Sequence, residues 1–344
     1  MNKMNKNKIL LLTGGQILSL LKSKENDILK IIKQAYTIHS RNDSSLPYSH
    51  FLRFPADDNN RIIALPAYLG GDFKIAGIKW ISSFPKNILE NKERASAILV
   101  LNSVTTGHPM AVLESSVISA KRTAASAALA SYYIGQNEKY NKIGIIGCGL
   151  INSEILRFIL AIRPEIEVAY LFDLKKERTD QFELHCKNKF NNLHTISCNS
   201  STEVFKNSKL ISFATTAKTP YINSISDFEA NSTILNISLR DLSSDIILSS
   251  DNIVDDINHI FKENTSIHLA EQKVNHKKFV RCSISDIIDG ETEPKLKDKI
   301  SIFSPFGLGV LDLALGSYIY DLAINSNIGI IIEDFLPPVW TLRD

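Results

Sequence analysis

The stretch KIGIIGCGLINSE, residues 142–154, constrains this chain more than any other. An apolar run reads as a strand, Gly147-Cys148-Gly149 as a tight turn, and Leu150 onward as a helix. Gly147 permits the turn, and Gly149 lets the backbone approach a ligand closely. The helix start then offers unpaired N–H groups and the positive end of its dipole, which suit a pyrophosphate. A third glycine is usual at the position of Asn152; it serves helix–strand packing, so Asn152 implies slightly wider packing rather than loss of binding.

A second apolar strand, VAYLF, ends at Asp173, 24 residues after Gly149, where an acid can accept both hydroxyls of an adenosine ribose. That carboxylate would repel a 2′-phosphate, so the expected cofactor is NAD rather than NADP. Lys175, Lys176 and Arg178 follow closely and read as a solvated helix start. Leu150, Ile151, Thr216 and Ser238 complete the expected cofactor-binding positions with Gly147, Gly149 and Asp173.

The loop lies mid-chain, and the surrounding pattern explains why. From about residue 124, strand candidates at 143–146, 168–172, 194–198, 210–214, 234–237, 253–254 and 300–303 alternate with helical segments. That alternation predicts a Rossmann-type, doubly wound parallel sheet over 124–305. Before it, 14–41 reads as helical and HSRNDSSLPYSHFLRFPADDNN as turn-rich. RIIALPAYL, FKIAGIKWI, ASAILVLN and PMAVLESSV read as an antiparallel sheet, with Lys79 at a polar beat. After it, GLGVLDLALGSYIYDLAINSN is helical. The fold class is therefore α/β. The nucleotide domain is inserted into an α+β substrate and dimerisation domain made from residues 1–123 and 306–344.

Near-balanced charge, 39 basic against 37 acidic residues, gives no reason to expect nucleic acid or an anionic membrane as partner. No apolar run approaches transmembrane length. The run Ile9 to Leu12 is broken at Thr13-Gly14-Gly15 and reads as a strand rather than a secretion signal. Four cysteines without a CxxC pair suggest free thiols in the cytoplasm, and the eight histidines show no metal spacing.

Charges in apolar settings supply the remaining candidates. Lys79 in IAGIKWIS, Arg122 in SAKRTAASAAL and Arg53 in SHFLRFP are either separate surface cations or one carboxylate pocket. Asp241 follows STILNISLR, just past a strand end, where such sheets place their sites; it reads as a general acid/base or as a loop aspartate.

GIKWISSFP, GHPMAVLESSVISAKRTAASAAL, IIGCGLINSE, YLFD, LNISLRD and SPFGLGVLD resemble, in order, motifs of the ornithine cyclodeaminase/mu-crystallin family. The resemblance runs from about residue 45 to 325 and implies a homodimeric NAD enzyme acting on a C–N bond. It assigns Lys79, Arg122 and Arg53 to the substrate carboxylate and Asp241 to acid/base catalysis. RIIALP, AGIKWI, ERAS and PYI are closest to the branch that oxidises N-(2-amino-2-carboxyethyl)-L-glutamate. That reaction yields 2-oxoglutarate and 2,3-diaminopropionate, a building block of siderophores and peptide antibiotics. Alanine dehydrogenase, ketimine reductase, cyclodeaminase and a non-catalytic crystallin-like binder are the alternatives. Ile63 stands where the cyclodeaminase has a glutamate, which argues against ornithine. Arg240 is an added cation beside Asp241, and Leu311 replaces an acid that often precedes the aspartate matching Asp312.

Overall fold

The computed structural model describes residues 8–342, apart from 91, 137, 293, 294 and 297. The chain divides into two compact units. One runs up to Arg122 and resumes at Leu308; the other is Thr123–Gly307.

The first unit opens with β1 (Ile9–Leu12), α1 (Gly14–Leu20) and α2 (Glu25–Ser40). The helical stretch is divided because Ser23 takes a left-handed φ of 57° between them. Then come β2 (Ser44–Ser45), β3 (His50–Phe54), β4 (Asp57–Leu69), β5 (Ile75–Ser83), β6 (Ala95–Ser103) and β7 (Pro109–Glu114). The turn-rich segment thus holds a strand, β3, which pairs with β4 beyond a tight connection. Neighbouring strands from β2 to β7 are antiparallel, but β1 lies parallel to β7, so the sheet is mixed. α3 (Ser116–Ile134) follows. It is built from small residues, and Glu114 accepts from its first backbone N–H groups.

The second unit contains β8 (Lys142–Ile146), α4 (Leu150–Ile162), β9 (Val168–Phe172), α5 (Lys176–Lys189), β10 (His194–Ser197), α6 (Ser201–Asn207) and β11 (Leu210–Phe213). It continues through β12 (Thr233–Asn236), α7 (Ser244–Ser249), β13 (Asp251–Val254), α8 (Ser266–Val274), β14 (Val280–Ser283), α9 (Ile284–Asp289) and β15 (Ser301–Ser304). The order β10-β9-β8-β11-β12-β15-β13-β14 is parallel throughout. The order reverses between β8 and β11, which is the switch point where such sheets bind ligands. The central strands are buried on both faces, as a sheet covered by helices requires.

The chain then re-enters the first unit with α10 (Gly309–Ser326) and β16 (Ile330–Ile332), which pairs antiparallel with β1. α10 lies on one face of the first sheet. A Cβ on Gly77 would meet the Leu313 side chain at 2.9 Å and one on Gly316 the Leu99 side chain at 2.4 Å, so small residues let helix and sheet approach closely. Among the described residues no helix is long and apolar enough to cross a membrane.

Candidate active site

In the second unit the C-terminal ends of four neighbouring strands carry one row of polar groups. β8 ends at Gly147, whose φ is +89°; a side chain there would press a Cβ to 2.6 Å from the Ala214 carbonyl oxygen, so only glycine fits. Gly149 caps α4, and its backbone faces open space, the nearest atom to an added Cβ being an Arg178 nitrogen at 4.0 Å. Leu150 is exposed in the first turn of α4 and Ile151 half-buried beside it. The loop is therefore a backbone cradle at a helix start, as a pyrophosphate needs.

Asn152 does more than fill space. It is fully buried; its Nδ2 donates to the carbonyls of Ile146 (2.9 Å) and Gly147 (2.7 Å), and its Oδ1 accepts from Ser212 Oγ at 2.7 Å. The side chain pins the turn to β11, a role that a third glycine could not perform.

Asp173 ends β9 with Oδ2 accepting from Cys148 N (2.8 Å) and Oδ1 from Lys175 N (3.0 Å). Each oxygen retains a lone pair for a ribose hydroxyl. The Cys148 thiol is pushed up to about 12 by burial and by the Asp173 charge, so it stays protonated and unreactive. Lys176 pairs with Asp180 at 2.7 Å, whereas Arg178 turns toward the Gly149 backbone.

Past β12, Asp241 is fully buried. Thr215 Oγ1 donates to its Oδ1 at 2.5 Å, and Ser238 Oγ donates to its Oδ2. Leu239, between Ser238 and Asp241, is held at a left-handed φ of 67°, and its carbonyl accepts from Ser266 N at 2.7 Å, at the start of α8. Such a bulky residue is strained there, and the turn that aims Asp241 depends on this anchor. Tyr221 is hydrogen-bonded to Asp241, and burial followed by the carboxylate's charge drives its phenol pKa well up, so it remains a proton donor. Arg240 points elsewhere: its Nε and Nη2 donate to the Glu263 carbonyl at 3.2 and 2.7 Å. Thr216 is exposed; its neighbour Thr215 is the residue that reaches Asp241. Thr215 and Tyr221 were not among the sequence candidates, although Tyr221 lies in the PYI motif.

The first unit holds a separate charged cluster. Lys79 is on the buried beat of β5, not the polar one, and is 2% exposed. Its Nζ donates to Asp312 Oδ2 at 2.6 Å and to Ser119 Oγ at 3.4 Å. Arg122 Nε donates to Asp312 Oδ1 at 3.2 Å, and its Nη2 to the same Ser119 at 3.4 Å. Asp312 is fully buried in the first turn of α10, where the helix dipole favours a carboxylate. This cluster sets two cations against one anion. A buried surplus of positive charge is costly unless an anion joins it, so the cluster has the charge to accept a carboxylate. Arg53 does not join them: it is exposed on β3, with its guanidinium 5.7 Å from the Phe51 ring centre.

The model of the ornithine cyclodeaminase/mu-crystallin family matches residues 23–327. The chain belongs to that family. N-((2S)-2-amino-2-carboxyethyl)-L-glutamate dehydrogenase of Staphylococcus aureus (strain NCTC 8325 / PS 47) is 29% identical over 87% of this chain and 90% of its own. Alanine dehydrogenase of Archaeoglobus fulgidus is 25% identical over 95% of this chain and 98% of its own. Among solved structures, Thermococcus litoralis Delta(1)-pyrroline-2-carboxylate reductase in complex with NADH and L-proline superposes with a TM-score of 0.87. It is 22% identical and covers 94% of this chain and 99% of that one, which establishes the shared fold.

Proposed function

We propose that the protein is an NAD-dependent oxidoreductase of an amino-acid C–N bond. Its substrate in this reading is N-(2-amino-2-carboxyethyl)-L-glutamate, cleaved to 2-oxoglutarate and L-2,3-diaminopropionate. The carrying observation is the row Asp173, Gly147–Gly149, Thr215, Ser238 and Asp241 along the strand ends of one parallel sheet. It offers a ribose acceptor, a pyrophosphate cradle and a proton-transfer group in the order a dinucleotide spans them. The Staphylococcus relative supports the choice of substrate, and the cation-rich cluster of Lys79 and Arg122 supports a carboxylate-bearing one.

Bound NAD supplies the hydride acceptor. Lys79 and Arg122 hold a substrate carboxylate and fix the orientation of the carbon that loses hydrogen. At the imine level of oxidation, Asp241 takes a proton from the attacking water and later returns one to the departing amine. Thr215 and Ser238 hold its carboxylate in place, and Tyr221, partly exposed, links that buried group to the surface of the unit. Oxidation, hydration and C–N cleavage balance as substrate, NAD and water giving 2-oxoglutarate, diaminopropionate, NADH and a proton. Such a product serves siderophore or peptide natural-product synthesis.

The assay is NADH formation from this substrate, with both products identified by mass spectrometry. Oxidation of alanine or cyclisation of ornithine, with this substrate ignored, would overturn the substrate while leaving the cofactor reading intact. We also infer a homodimer formed through the first unit, whose sheet exposes an apolar face, and a cytoplasmic location, which suits four free cysteines.

A further inference from the structure

One guanidinium in the second unit lies at the starts of two helices. Arg178 is in the first turn of α5, whose N-cap is Lys175. Its Nη1 lies 4.0 Å from the point where a Cβ on Gly149 would sit, and Gly149 is the N-cap of α4. Each helix start carries partial positive charge on its unpaired N–H groups. The guanidinium adds a full one. Its charge also reaches Cys148, where it opposes burial and Asp173 in setting the thiol pKa.

No group of the unit offsets that charge. No side chain caps α4, and its first turn holds no acid. Arg178 is half-buried, and among the described residues its side chain makes no hydrogen bond or ion pair. Asp173, the acid at this turn, accepts instead from Cys148 N at 2.8 Å and Lys175 N at 3.0 Å. The neighbouring Lys176 is exposed and paired with Asp180. A cation beside two helix starts is unfavourable until an anion joins it. The place for that anion is against the Gly149 backbone, whose Cβ side is open but for Arg178 itself. A pyrophosphate brings negative charge and paired oxygens that match the guanidinium fork.

We propose that Arg178 binds the pyrophosphate of the dinucleotide, completing the Gly147–Gly149 cradle from the side of α5. The inference rests on the cofactor placement proposed above and adds a residue to it. It also divides the basic cluster that reads in sequence as one solvated helix start: Lys176 is solvated, and Arg178 serves the cofactor. NAD and NADP share the pyrophosphate, so Arg178 adds affinity for both and leaves the choice between them to Asp173.

The test is fluorescence titration with NADH, NADPH and ADP-ribose, the last by displacement of NADH, over a range of potassium chloride. Arg178→Gln should weaken all three by about tenfold or more, the usual effect of a charge-assisted hydrogen bond. It should also flatten the salt dependence of NADH affinity, because one screened charge contact is gone. Arg178→Lys, which keeps the charge but not the fork, should keep the salt dependence and part of the affinity. Asp173→Ala is the control for the cofactor placement. If it weakens NADH binding and Arg178→Gln does not, the arginine contact is overturned and the placement stands; if neither does, both fall. A loss confined to NADPH would assign Arg178 to a 2′-phosphate and overturn the proposal. So would weaker NADH binding with its salt dependence unchanged, the result of a merely structural role.

Discussion

Lys79 ties the proposed carboxylate site to a measurable pH. Burial, and secondarily the Arg122 charge, bring its pKa down from 10.5 to about 8, against the opposing pull of Asp312. If Lys79 holds the substrate carboxylate as proposed, the ammonium is the binding form, and affinity is complete below that pH and fades above it. The expected kcat/KM profile therefore has an alkaline limb near pH 8. Lys79→Arg should move that limb upward, because a guanidinium does not titrate there; a limb that stays in place would assign it to another group. Asp241 is tested differently. Asp241→Asn retains the shape that Thr215 and Ser238 grip but cannot act as a base. It should lower kcat by about 10²-fold or more with NAD affinity nearly unchanged; wild-type turnover would remove Asp241 from the mechanism. Asp173→Ala should weaken NAD binding and narrow its margin over NADP, read by fluorescence titration of both nucleotides. Tighter NADP binding by the wild-type chain would instead make Arg178, beside Gly149, the dominant group.

The β8–α4 turn shows what a departure from the usual glycine pattern means. Asn152 looks from sequence like a packing compromise, but its amide is bonded on both sides. Asn152→Ala leaves Ser212 Oγ without its acceptor and removes a donor from two turn carbonyls. A cost of about 1–3 kcal/mol is expected, seen as a lower urea midpoint for the cofactor-free protein. Asn152→Gly restores the common pattern yet should be no better, since glycine supplies no donor and weakens a helix by about 1 kcal/mol. A glycine variant as stable as wild type would mean that the amide bonds contribute little. The positions of Gly147 and Asp173 were legible because each follows an apolar run directly, and that of Asp241 because it lies a few residues beyond one, so pattern alone locates a strand end. β3, β14 and β16 were not, being three to five residues long without clear alternation. Asp312 was legible only through family resemblance, since 233 positions separate it from Lys79 and only tertiary packing joins them.

The two-unit, split-chain organisation leaves one large surface to explain. α10 covers one face of the first sheet, and the opposite face presents Leu52, Trp80 and Ile98, which are 48%, 40% and 45% exposed. Cross-strand register sets Trp80 between Ala64 and Ile98, and Ile78 between Pro66 and Val100, with Val112 beyond, so these side chains form one continuous patch. An apolar patch of this extent on a sheet face marks an interface, and a stable one covers about 800 Å² per partner. The homodimer proposed above would cover it, because a two-fold contact pairs such a patch with itself. Light scattering at micromolar concentration should give twice the mass of the 38.4 kDa chain. The double variant Trp80→Glu with Ile98→Glu sets two carboxylates in the centre of the contact, facing their symmetry mates. Their desolvation and mutual repulsion should yield a monomer. Its circular dichroism should match wild type, since both positions already meet water in the isolated chain. A wild-type monomer, or a variant that still scatters as a dimer, would place the interface elsewhere.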